Sequence, residues 1–157
     1  MNAYRIKPLR FPWAPVYYLA AGLTAAGCGA LLPMSNVRHG HVLALSVGLL
    51  LALTGVTLVV WAIGVLLSHR TPVLPIASAR HLVTCGPFRI SRNPIYLGYT
   101  LVLAALALGT ENVWFAIFGI AAAVATNLVA VKAEEKHLLA RFGIEFERYC
   151  QRTRRWI

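Results

Sequence analysis

The sequence predicts an all-α polytopic membrane protein with four transmembrane helices, the last two forming a C-terminal helical hairpin with a cytosolic helical extension. Three observations point there. The 157 residues are 59% hydrophobic and only 13% charged, outside the range of ordinary soluble domains. The apolar residues gather into long runs, two of which reach the roughly 20 residues that a bilayer crossing needs. Lysine and arginine fall between the runs, with a strong bias to one side.

The first run spans about Trp13 to Leu32. Arg5, Lys7 and Arg10 precede it, and the Ala25, Ala26, Gly27, Cys28 stretch loosely suggests a cleavable lipoprotein signal. Leu23 lies too far from Cys28 for that motif, and the run is long for a signal core, so it reads as a span. The second run spans about Val42 to Leu67. A loop over 68–93 follows, then a third run from Pro94 to Leu108 and a fourth from Val113 to Val131, parted only by Gly109, Thr110, Glu111 and Asn112. At 1.5 Å per residue the third helix covers roughly 22 Å, less than the roughly 30 Å hydrocarbon core. One of its ends is therefore expected inside the membrane boundary. The chain reads as a single domain, 1–157, with two spans in 1–67 and the loop, hairpin and C-terminal helix in 68–157.

The formal charge of +10 would suggest nucleic acid in a soluble chain. With four spans drawn, fourteen of the fifteen lysines and arginines fall on one side, Arg38 being the exception. Topology thus accounts for the charge: no nucleic-acid partner is implied, the basic loops face membrane lipids, and both termini and the 68–93 loop are placed in the cytoplasm. Trp13, Tyr17, Tyr18 and Trp114 fit interfacial aromatic belts. Cys28, Cys85 and Cys150 are far apart and read as packing thiols. His39 and His41 supply only two ligands, so no metal site is expected. His69 and His81 flank the loop.

Residues 85–98, CGPFRISRNPIYLG, carry the first chemistry. Asn93 is a good N-cap and Pro94 suits the first helical position. The free N–H groups of that helix start, with Arg89 and Arg92 nearby, favour an anion such as a carboxylate or phosphate. Ile120 to Phe142 holds neither Gly nor Pro, so the fourth helix is expected to continue past Val131 and stop at Gly143. On that extension sit Glu134 and Glu135, two of only five acidic residues. Neighbouring helical residues diverge by roughly 100°, so at most one of the two can face a pocket shared with the third helix. Anion-binding donors opposite a carboxylate suit a zwitterionic ligand.

The run LVTCGPFRISRNPIYLG over 82–98 resembles the signature of the isoprenylcysteine carboxyl methyltransferase and phospholipid methyltransferase superfamily. EEKHLLARFGIEFERY over 134–149 is similar to the second element of the same families. The resemblance covers the C-terminal half, from His81 to Ile157. It implies a small bacterial-type integral membrane methyltransferase, in the inner membrane, that binds S-adenosyl-L-methionine in a cytosolic pocket. Carried over by position, Leu82, Val83 and Phe88 would line the cofactor. Asn93, Pro94, Ile95 and Tyr96 would contact it from the helix start, and Glu134 would take a polar group of its ribose or amine end. Glu135 and Arg92 are implied as further partners or anchors, Arg92 being the candidate catalytic residue.

Two departures narrow what is implied. Asn93 stands where many relatives carry histidine, which removes a titrating group. Ala130 stands where prenylcysteine-type enzymes carry an arginine, which argues against a prenylcysteine substrate. The implied substrate is a lipophilic or membrane-embedded small molecule bearing a carboxylate, thiol or amine. Two other readings are an NADPH-dependent membrane reductase, since sterol reductases resemble this superfamily in the hairpin, and a non-catalytic membrane subunit that keeps the fold. The acceptor and the oligomeric state are not specified, although Gly22, Gly27 and Gly29 could serve helix packing.

Overall fold

In a computed structural model the chain is described over residues 11–32, 41–73 and 81–157, and among these it is helical with no strand. The helices are α1 (Trp13–Leu31), α2 (His41–Ser68), α3 (Pro94–Gly109), α4 (Val113–Thr126), α5 (Lys132–Phe142) and α6 (Ile144–Arg152). A short 3₁₀ turn, Gly86–Arg89, precedes α3. A π-helical turn, Asn127–Val131, joins α4 to α5 without a break.

Three helices are long and apolar enough to cross a membrane: Trp13–Leu31, His41–Ser68 and the continuous Val113–Phe142. α3 is apolar but has 16 residues, about 24 Å of rise. The expected fourth crossing therefore rests on a helix shorter than the hydrocarbon core. The expected continuation past Val131 is present, and it ends where Gly143 takes a φ of +53°, a backbone that side-chain-bearing residues rarely adopt.

α2 packs along α3, α3 along α4, and α4 along α1. α1 meets its neighbours through Ala14, Tyr18, Ala21 and Ala25, residues spaced to share one face of a helix, while Leu19 and Leu23 on its other face are about two-thirds exposed. Such an outward apolar face is stable against lipid and not against water. α2 and α3 approach closely where a methyl at Gly98 would lie 2.7 Å from the Gly55 carbonyl oxygen. Of the three glycines expected to serve packing, Gly22 has only ordinary contact with Leu103 and Gly27 has no neighbour within 4 Å, whereas Gly29 lies directly against the Asn112 side chain and leaves no room for a Cβ.

At one end of the bundle the Asn112 side chain caps α4 by accepting from Trp114 N, and Trp114 Nε1 donates to the Leu32 carbonyl. His41 Nδ1 meets Glu111 Oε1 at 2.6 Å at the same end. His39 lies outside the described residues. Tyr18 departs from its expected belt position: it is 6% exposed and shares a hydrogen bond of 2.6 Å with Thr100, so its hydroxyl ties α1 to α3 inside the bundle. The start of α1, the end of α2, the start of α3 and α5 all converge at the opposite end, where the site lies.

Candidate functional site

A cavity of about 180 Å³ opens at that end, more than ten times the roughly 10–15 Å³ that admits one water. Its floor and sides are apolar, with Pro15 of α1, Leu66 of α2, and Leu82, Val83, Phe88, Pro94 and Ile95 of the loop and α3 start. Its polar groups include Arg92, Asn93, Tyr96, Glu134 and Tyr149, together with His81 and His137. Of the residues singled out in the sequence, Leu82, Val83, Phe88, Arg92, Asn93, Pro94, Ile95, Tyr96 and Glu134 all line this space, and Glu135 does not.

The loop wall is rigid for local reasons. Gly86, at φ +58°, lets the chain turn into the 3₁₀ segment, and Tyr149 of α6 donates to the Phe88 carbonyl at 2.7 Å. Ser91 is fully buried and its hydroxyl accepts from Asn93 N at 3.1 Å. Asn93 occupies the position before α3, but its side chain makes no cap. Its Nδ2 donates instead to the Arg155 carbonyl at 2.9 Å, so the expected capping role gives way to a contact with the C-terminal segment. Arg89 is exposed and takes no part in the cavity lining.

The acidic pair divides. Glu134 turns to the cavity and accepts from Tyr96 Oη at 2.8 Å. Glu135 turns to the other side, where Arg155 grips both its oxygens, Nε to Oε1 at 3.0 Å and Nη2 to Oε2 at 2.6 Å. Arg92 Nη1 meets Glu135 Oε1 at 3.0 Å and also contacts Cys150 Sγ. Burial pushes the Cys150 thiol up, so it meets the guanidinium as a neutral thiol. Arg92 Nε is buried without a hydrogen-bond partner among the described residues. The two-pronged grip is thus made by Arg155, a residue that no motif signalled because it follows the last helix in an irregular segment. Tyr149, the last residue of the second motif element, was not singled out within it.

Charge is distributed unevenly as a result. Glu135 has two guanidinium partners, whereas Glu134 enters none of the ion pairs among the described residues. A carboxylate turned into a largely apolar cavity with one neutral donor is poorly compensated. It would be stabilised by a cation in the cavity. Among the described residues no cluster of metal-ligating side chains is present.

Fold and site together define an integral membrane protein with a cavity where its helices end. Residues 43–145 match the phospholipid methyltransferase family, and the chain belongs to that family. It is also 38% identical over 72 residues to the nickel-cobalt-cadmium resistance protein NccN of Alcaligenes xylosoxydans xylosoxydans. That match spans 46% of this chain and 33% of the relative. No solved structure matches the chain.

Proposed function

We propose that the protein is an S-adenosyl-L-methionine-dependent methyltransferase acting on a lipophilic or membrane-embedded small substrate at the cytosolic membrane face, with α3 and α4 as the last two of four spans. The observation that carries this reading is the uncompensated Glu134 carboxylate in a cavity that also holds Arg92, whose Nε is an unused donor, and an apolar wall. S-adenosylmethionine presents an ammonium, a carboxylate, ribose hydroxyls and an apolar adenine face, so it asks for both signs of partner beside apolar surface. The donor set fits it. Glu134 would take the cationic or hydroxyl end, Arg92 and Asn93 the anionic end, and Leu82, Val83 and Phe88 the flat apolar part.

When bound, that cofactor supplies an electrophilic methyl group on a sulfonium. The protein's part is to hold, orient and exclude water, which together supply roughly 7–11 kcal/mol when geometry is good. No side-chain nucleophile is needed. The carboxylate and the surrounding tyrosines favour a cation near Glu134, while the apolar wall formed by Pro15, Leu66 and Ile95 suits an acceptor with a lipid-like body. The acceptor's reacting group is a carboxylate, thiol or amine. The segregation of fourteen of fifteen basic residues supports an orientation with both termini and the site in the cytoplasm, in a bacterial inner membrane.

The test is calorimetric titration of the detergent-purified protein with S-adenosylhomocysteine and, separately, with NADPH. Saturable binding of the first and none of the second is expected. Binding of NADPH alone would replace this reading by a reductase.

A further inference from the structure

The last residues of the chain do not trail away. Thr153 is 6% exposed, and the irregular segment after α6 is held to the residues beside the cavity. The Arg154 carbonyl accepts from Arg92 N at 3.0 Å. The Arg155 carbonyl accepts from Ser91 Oγ at 3.3 Å and from Asn93 Nδ2 at 2.9 Å. The Arg155 side chain holds Glu135 by both oxygens, and Trp156 Nε1 reaches Asn127 Oδ1 in the π turn at 3.4 Å. One short segment is therefore bonded to both walls of the cavity: the loop that leads into α3, and the helix that carries Glu134. Neither Arg155 nor Trp156 lines the cavity itself.

We infer that this C-terminal segment is a strap that sets the spacing of the two cavity walls, with Arg155 as the positioning residue for cofactor binding. The inference rests on the cofactor reading above and adds to it a residue that never touches the cofactor. The physical reason is the shared partner. Glu135 receives Arg92 on one oxygen and Arg155 on both, so removing Arg155 leaves Arg92 as the sole cation on a partly buried carboxylate. Arg92 would then be drawn away from the cavity wall on which it sits. A planar two-pronged contact fixes angle as well as distance, and lysine cannot reproduce it.

The experiment uses the full chain in detergent and measures S-adenosylhomocysteine affinity together with the unliganded melting temperature. Arg155→Gln and Glu135→Gln are each expected to bind roughly ten-fold or more weakly. The double variant should be no weaker than the worse single one, because both break the same contact. Arg155→Lys should fall between wild type and Arg155→Gln, and Arg152→Gln, an exposed neighbour on α6, should bind as wild type does. Wild-type affinity in Arg155→Gln, or losses in the double variant that multiply, would overturn the strap. If Arg155→Gln does not fold, Arg155→Lys decides: weakened binding at an unchanged melting temperature supports the strap, and unchanged binding overturns it. Failure of the wild type itself to bind would instead remove the methyltransferase reading.

Discussion

Replacing Glu134 by glutamine removes the negative charge from the cavity while leaving its shape nearly intact. The amide oxygen can still accept the hydrogen bond that Tyr96 donates at 2.8 Å, so the link between α3 and α5 survives. What is lost is the charged partner for a cationic ligand group. A hydrogen bond to a charged group contributes about 1.5–3 kcal/mol, which corresponds to roughly 10- to 150-fold in Kd. The unliganded protein should respond in the opposite direction. Glu134 has no ion-pair partner among the described residues, so removing its charge relieves a desolvation cost and the melting temperature should hold or rise. Titration with S-adenosylhomocysteine and a melting curve on the same sample read both effects, with the exposed Glu147→Gln as the control. Equal affinity in the two variants would show that Glu134 does not meet the ligand. A melting temperature that drops sharply would show that its charge is structural.

Arg92→Lys should insert normally, since positive-inside sorting counts charge and ignores shape, yet bind S-adenosylhomocysteine several-fold more weakly than Arg70→Lys, because lysine cannot serve Glu135 and keep a donor at the cavity; indistinguishable titrations would return Arg92 to a topological role. Gly98→Ala should destabilise the protein by about 1–3 kcal/mol or more, since the new methyl would lie 2.7 Å from the Gly55 carbonyl oxygen. Melting in detergent checks this, and an unaltered curve would mean that α2 and α3 can separate freely. Reporter fusions should place both termini in the cytoplasm; either terminus found outside would refute the four-span topology.

Much of this architecture was legible in the sequence because it is periodic or punctuated. Apolar runs mark α1, α2 and the helix from Val113, and Asn-Pro marks the start of α3. Gly143 marks the end of α5. The motif residues from Leu82 to Tyr96 gather at one cavity because the loop and helix start are continuous in sequence, so their neighbourhood needed little long-range information. The contacts that were not legible are those made by side chains without a pattern. Asn93 has the chemistry of a cap, but a carbonyl from 62 residues later accepts from its Nδ2 and fixes the side chain in an orientation that makes no cap. Arg155 looks like one more basic residue in a positive tail, and only the fold brings it to Glu135. Tyr18 has the composition of an interfacial residue, but its partner Thr100 lies within the bundle.

The π turn over Asn127–Val131 sets the phase of everything after it. A π turn takes up the equivalent of one additional residue within an α-helix, and one residue is worth roughly 100° of rotation about the axis. A helical wheel drawn at constant pitch from Val113 to Phe142 would give Glu134's bearing to Ala133 and rotate the carboxylate away from Tyr96. The turn therefore brings the Glu134 carboxylate, instead of the methyl group of Ala133, to the inward bearing, and leaves Glu135 on the outer side with Arg155. Because Trp156 bonds to Asn127 within that turn, the far end of the chain also stands guard over the angular register of the helix.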